Sequence, residues 1–330
     1  MGFRVVWVLL CLVLLAACEA PLVLDGVAEE SANPIRRTDR IQSAASLDEE
    51  AVVVGVGFIL NLSDSGANWK RTTPKGLPTF IGVALCPDKT QVAVSAEKQA
   101  WVSTDRGKSW QIHDLGTDES PQYISCGLDN RLWVAASFST LLSSADQGET
   151  WQQTSLDEDL IFTYVNFFDP LNGLAIGEFG SVYKTQDGGE NWLANEQAIA
   201  DEFYPMAVSF LDSQTGWVGG SSGVIFHTSD GGVSWVKEET GSEAPIFGLL
   251  ADGLGVYAVG GFGTFLERRS TSDGSVKWLR SSAVSTRFYL RALAPLSGNK
   301  ILLGGGAGTL QSLINNGSGQ LVAIKPDQGA

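Results

Sequence analysis

Hydrophobic and polar positions along this chain fall into short runs bounded by Gly, Ser, Asp or Asn, and none sustains a helical period. Such runs predict strands. One set consists of Tyr164–Phe168, Gly173–Gly177, Ser181–Thr185 and a strand opening at Trp192. The next consists of Met206–Phe210, Gly216–Gly219, Val224–Thr228 and a strand from Trp235. The first set is read at Ile41–Ala45, Ala51–Gly57, Ile59–Ser63 and Trp69–Thr72, and the last at Arg287–Ala294, Ile301–Gly304, Thr309–Ile314 and Leu321–Lys325. Each terminal set is complete in itself. Neither end is therefore expected to lend a strand to the other, and closure is left to packing.

A short motif sits between the third and fourth strand of each set. Six copies align: Leu62-Ser-Asp64-Ser-Gly66-Ala-Asn-Trp69, Ser103-Thr-Asp105-Arg-Gly107-Lys-Ser-Trp110, Ser144-Ala-Asp146-Gln-Gly148-Glu-Thr-Trp151, Thr185-Gln-Asp187-Gly-Gly189-Glu-Asn-Trp192, Thr228-Ser-Asp230-Gly-Gly232-Val-Ser-Trp235 and the weaker Thr271-Ser-Asp273-Gly-Ser-Val-Lys-Trp278. The Asp-to-Asp steps are 41, 41, 41, 43 and 43, and a further 43 lands on Asn316, inside a degenerate seventh turn. The carboxylate can accept hydrogen bonds from the N–H groups of its own turn, the hydroxyl two residues earlier pins the preceding strand, and the Gly supplies positive φ. The Trp opens the next strand and buries a large area between units. Four short strands per repeat at this period make an all-β, seven-bladed β-propeller of four-stranded antiparallel blades. Asp64, Asp105, Asp146, Asp187, Asp230 and Asp273 are read as structural.

Composition agrees with many strands and tight turns. The chain has 330 residues, 38 Gly, 10 Trp and only two Met. Its first 18 residues differ from the rest: Arg4 precedes an apolar run, Val5–Leu15, and Leu15-Ala16-Ala17-Cys18 resembles a bacterial lipobox. Residues 1–18 are expected to be a lipoprotein signal peptide, with lipidation at Cys18. Residues 19–38 are expected to be a flexible tether, and 39–330 the propeller. No stretch after residue 18 is apolar for long enough to cross a bilayer. The mature protein is expected to be exported, periplasmic and lipid-anchored to a bacterial membrane, and to be a monomer.

The formal charge of −15 argues against nucleic acid as a partner and against anionic headgroups. Cys86 and Cys126 occupy similar places in adjacent repeats. An oxidising compartment permits a disulfide. Aligning the repeats at their Asp residues, however, puts Cys126 opposite Leu85, and the expectation is two buried free thiols.

Two stretches carry a more specific likeness: Gly173-Leu-Ala-Ile-Gly177-Glu-Phe-Gly180-Ser-Val-Tyr-Lys-Thr-Gln-Asp187 and Gly216-Trp-Val-Gly219-Gly-Ser-Ser-Gly223-Val-Ile-Phe-His-Thr-Ser-Asp230. The boxes mark Asp-box (BNR) propellers, and these two stretches resemble the photosystem II assembly and stability factor family. The resemblance covers residues 39 to about 325. It implies a non-catalytic protein that holds or delivers a membrane or envelope protein complex, in an exported and lipid-anchored setting. Photosystem-serving members present a basic patch; this acidic chain offers only Arg268-Arg269 and the pair Arg287 and Arg291 as approximations. The client is left open.

In an antiparallel four-stranded blade, the first-to-second loops share one face with the Asp-box turns. Recognition is expected on the opposite face, which carries the second-to-third loops and the links between blades. Candidate residues there are Phe58, Phe138, Phe179, Phe262, Phe203, Tyr204, Arg287, Phe288 and Tyr289, with Phe80 and Tyr123 at matching positions. Glu97, Glu178, Asp201, Glu202 and Glu243 supply a polar rim, as protein interfaces do.

Sialidases also carry Asp-boxes, so a secreted glycoside hydrolase is the main rival, and a carbohydrate- or peptide-binding module is another. Sialidase chemistry needs arginines and carboxylates converging on the channel. Here Arg268, Arg280, Arg287 and Arg291 crowd into the last two blades, and the box aspartates serve turns. His113 and His227 are far apart, so no transition-metal site is expected. Gly304–Gly308 lies between strands rather than before a helix, so no phosphate-binding cofactor is expected either.

Overall fold

The second strand of each repeat is buried on both faces, and that explains why its apolar residues run on rather than alternate. Leu132–Ala136, Gly173–Gly177 and Gly216–Gly220 are buried at every position. The fourth strands are short and mostly exposed, as in Gln111–Asp114 and Gln152–Ser155. The computed structural model describes residues 25–62, 68–195, 199–200, 202–271, 275–315 and 321–323. Within them, twenty-eight strands form seven four-stranded antiparallel sheets, each built from four consecutive strands. This is the seven-bladed propeller expected. Among the described residues no helix is long and apolar enough to cross a membrane.

Blade one is Ile41–Leu47, Glu50–Gly55, Phe58–Leu62 and Trp69–Thr72, and blade seven is Leu290–Leu296, Lys300–Gly305, Leu310–Asn315 and Leu321–Ala323. No strand is exchanged between them. Packing closes the ring: Ile41, Val53 and Phe58 of blade one share a core with Ala292, Ala294 and Leu302 of blade seven. Tyr289 adds polar stitching, its hydroxyl donating to the Ile41 carbonyl (3.2 Å) and accepting from Gln42 Nε2 (3.2 Å).

The segment expected to be a flexible tether is partly ordered. Asp25–Ala32 forms a helix, and the residues after it dock on the ring. The Gly308 N–H donates to the Asp39 carbonyl (2.9 Å), and Arg71 forms a two-pronged pair with Asp39 at 2.8 and 3.0 Å. Arg71 also donates to the Pro34 carbonyl at 2.9 Å, so one guanidinium ties the incoming chain to blade one. Local periodicity carries no trace of this, because the partners lie in blades one and seven. Cys18 and the first 24 residues lie outside the described residues, as do Asp64, Asp273 and Asn316.

Four Asp-boxes are described, and they share one geometry. In blade four, Asp187 Oδ1 accepts from the Thr185 hydroxyl (2.8 Å) and the Asn191 N–H (3.0 Å). The Thr185 hydroxyl itself accepts from the Gly189 N–H at 3.0 Å. Asp105, Asp146 and Asp230 repeat the pattern. These bonds hold all four carboxyls down to a pKa of about 2. The leading cause is the Ser109 hydroxyl at Asp105, the Thr150 hydroxyl at Asp146 and the Asn191 N–H at Asp187. At Asp230 burial pushes upward, and the bonds from Ser234 and Thr228 outweigh it.

A carboxyl whose pKa falls on folding adds stability above the unfolded value, near 3.9, and loses it as pH drops through the folded value. The thermal midpoint is therefore expected to be flat from neutral pH to about 5 and to fall steeply between about 4 and 2. Circular dichroism melts across that range check it; a midpoint unchanged down to pH 2 would contradict the assignment.

Cys86 and Cys126 are joined in a disulfide, their Cα atoms 5.3 Å apart, which corrects the expectation of free thiols. The N–H of Cys86 closes its turn on Thr90, and that of Gly127 closes the equivalent turn on Arg131. Cys86 is thus the structural match of Gly127, and the two cysteines are offset by one residue, as the repeat alignment says. Neighbouring blades meet by rotation about the channel axis rather than in matched register. Both cysteines lie in the core that blades two and three share.

Candidate functional site

The first strand of every blade carries a β-bulge at its second residue. Bulges re-aim a side chain and often occur next to functional sites. The seven bulged residues are Gln42, Ile81, Gln122, Thr163, Met206, Phe247 and Arg291, one per blade, and all seven line a cavity of about 160 Å³ on the channel axis. In each blade the residue just before is buried, among them Ile41, Phe80, Phe162, Ile246 and Leu290 at 0% exposure. Each bulge faces the end of the second strand, where five blades place Gly55, Gly177, Gly220, Gly260 and Gly305. At Gly260 a Cβ would lie 2.0 Å from the Pro245 carbonyl oxygen, and at Gly305 2.1 Å from that of Tyr289. Blades two and three carry the same bulge opposite Ser95 and Ala136, so glycine relieves crowding at five positions without being required for the bulge.

Arg291 is the one charged residue in this lining. Among the described residues it has neither an ion-pair partner nor a hydrogen-bond acceptor. Its side chain reaches channel solvent while protein rings it, and that desolvation lowers its pKa, with Tyr289 opposing. An arginine so placed remains a cation at neutral pH. Burial pushes the Tyr123 hydroxyl up to about 12 and, with Tyr123 beside it, raises Tyr164 further still, so both stay protonated. Their rings sit 4.9 Å apart. The mouth therefore offers a guanidinium, two amides, a Thr hydroxyl and apolar Ile81, Met206 and Phe247. That set can hold a carboxylate and an apolar side chain together; it contains no acid–base pair.

The aromatic candidates divide. Phe138, Phe179, Phe262 and Phe288 are 56, 62, 79 and 56% exposed, Arg287 is exposed and Tyr204 is partly so. Phe58 is instead fully buried in the ring-closing core, under the Arg71 guanidinium at 4.5 Å. Phe203 is buried edge-on against Phe226, 4.9 Å away, and Phe80 is buried against Trp101. Tyr289 is half-buried in the closure. Phe58 departs from its counterparts because its blade has a two-residue turn, Val56-Gly57, which puts it first in its strand rather than at a loop tip.

Arg268 is not available as a basic patch. It pairs with Glu238 (2.7 Å) and lies 5.2 Å over Trp217. Glu238 also accepts from Trp278 Nε1 at 2.8 Å; burial would raise its pKa, but the Arg268 and Trp278 bonds outweigh burial and hold it low. His227, stacked on Trp217, has its pKa lowered chiefly by burial. This is a knot between blades five and six. Arg269 pairs in the same way with Glu267.

Sequence reasoning passed over six of the seven mouth residues. A partial signal is the glycine that ends the second strand in five of the seven blades.

Fold and site together define an Asp-box β-propeller whose rigid ring presents a single-cation channel mouth on the face opposite its boxes. Residues 143–246 match the model of the photosynthesis system II assembly factor YCF48 family. The photosystem II assembly protein Ycf48 of Thermosynechococcus vestitus is 28% identical over 160 residues, covering 46% of each chain. The photosystem II assembly lipoprotein Ycf48 of Prochlorococcus marinus is 29% identical over 146 residues, covering 43% of this chain and 44% of the relative. The chain thus spans about half the length of the curated relatives it matches. Among solved structures, YCF48 bound to D1 peptide superposes with a TM-score of 0.68 at 17% identity, covering 86% of this chain and 94% of that one. Virginiamycin B lyase from Staphylococcus aureus reaches 0.68 at 11% identity, over 83% of this chain and 94% of the lyase, a likeness of fold alone.

Proposed function

We propose that this protein is a non-catalytic, membrane-tethered propeller that binds a membrane or envelope protein complex and assists its assembly or stability. The unpaired Arg291 in the bulge ring carries the reading. It provides a preformed anion site in a strongly acidic chain, at the mouth of a rigid channel, with apolar neighbours suited to an extended segment. The likeness to Ycf48 assembly proteins supports it, as does the peptide held by the solved YCF48 of the same fold. The channel lining also speaks against the glycoside hydrolase alternative, because its one charge is a guanidinium, whereas that chemistry needs a pair of carboxylates. Lipidation at Cys18 and a periplasmic location complete the proposal, and relatives named lipoproteins support the anchor.

The test is affinity capture from solubilised membranes with the parent chain and an Arg291→Glu variant. The parent is expected to recover a membrane protein, and the variant to lose it by at least roughly tenfold while its melting point stays unchanged. Titration with the D1 peptide then reads whether the client is shared with the relative. Capture unaffected by Arg291→Glu removes the mouth as the site. Recovery of no membrane protein, together with cleavage of sialosides, overturns the reading.

A further inference from the structure

Three exposed rings sit at one structural position. Phe138, Phe179 and Phe262 occupy the second residue of equivalent three-residue hairpins that link the second and third strands. Their φ angles are 52, 59 and 55°, in the left-handed region that a bulky side chain rarely adopts. Ser222 and Ala307 hold the same position and conformation in blades five and seven, which shows that smaller residues suit it. Nothing in the turn calls for phenylalanine, and its ring points to solvent.

Equivalent tips on a pseudo-sevenfold ring lie in one plane perpendicular to the channel. Outside the channel mouth, Leu77, Tyr204 and Phe288 are further large apolar side chains exposed on this face. Together they place apolar tips around most of the rim, with carboxylates such as Glu97, Glu202 and Glu243 between them. The incoming chain enters on this same face, since Asp39 bonds to Gly308 in the corresponding hairpin of blade seven. The apolar run Val5–Leu15 and Cys18 precede it, and from Cys18 the seven residues to Asp25 can span at most about 25 Å.

We infer that this face lies flat on a lipid bilayer, with Phe138, Phe179 and Phe262 dipping into the interface and the channel mouth turned toward the membrane. The inference rests on the membrane-tethered reading above and adds an orientation and a contact surface. Phe is one of the residues that interfacial apolar faces bury by roughly 5–10 Å at the headgroup–acyl boundary. The interspersed carboxylates select a zwitterionic surface over an anionic one.

The experiment uses the full chain on phosphatidylcholine vesicles carrying acyl-chain bromines, with Phe179→Trp and Phe262→Trp as reporters and Val233→Trp, on the Asp-box face, as control. Emission is read as the difference from the parent, which has 10 Trp. The added fluorescence at 179 and 262 is expected to fall roughly twofold at interfacial depth, while that at 233 is unaffected. Adding anionic lipid is expected to weaken the quenching. Unquenched tips on a vesicle-bound chain, equal quenching at 233, or failure to associate with the vesicles overturns the proposal. The vesicles contain no protein, so loss of client capture in Arg291→Glu with quenching intact separates the two readings.

Discussion

Replacing Trp133 with alanine is expected to cost about 3–5 kcal/mol of stability and to lower the thermal midpoint by roughly 10 °C. Trp133 is 3% exposed in the second strand of blade three, yet its main partners belong to blade four. Its ring stacks on Phe167 at 4.3 Å and meets Trp192, the box tryptophan, edge-on at 6.2 Å. Gly189 of the box lies so close that a Cβ there would sit 2.3 Å from the indole. Removing the indole leaves a cavity among rings fixed by two separate sheets, and such a site cannot collapse. Leu193→Ala, at a position 74% exposed, is the control and is expected to change stability by less than about 0.5 kcal/mol. Denaturant melts of the two variants decide it; equal midpoints would mean that this contact does not bind the blades.

Removing the Cys86–Cys126 bridge is the second large effect. It closes a loop across a sequence separation of 40 residues, and the chain-entropy model puts its contribution at about 4 kcal/mol. Cys86→Ala with Cys126→Ala, or reductant on the parent, is expected to lower the unfolding free energy by a similar amount, seen as a lower unfolding midpoint. The bridge joins the first strands of blades two and three, beside Ala84, Ile124 and Leu132 of their common core. Matching melts with and without reductant would show that packing alone suffices there.

The bridge also marks where repeat reasoning stops. Aligned at their boxes, the two cysteines differ by one residue, and equivalence suggested separation. Contact between blades depends instead on how two equivalent strands are rotated toward each other, which a repeat alignment leaves out. The aromatic candidates behave likewise. Phe138, Phe179 and Phe262 were legible as loop tips because their hairpins have equal length. Phe58 looks the same in sequence, but its shorter turn moves it into the strand and under Arg71. The tether read as formless because Asp39 and Pro34 find their partners only in the closed ring.

What the sequence alone determined is everything carried by contacts within one repeat: four strands per unit, seven units, the box turns and thus the face each loop occupies. Those features depend on hydrogen bonds and side-chain alternation over a few residues, and the period repeats them until they are unmistakable. Tertiary structure alone decided which rings are core, which thiols pair and which seven side chains the bulges turn into the channel. These depend on neighbours one blade away, or across a closure such as Tyr289 to Ile41, 248 residues apart. Burial is a property of the assembled ring, and no single repeat contains it.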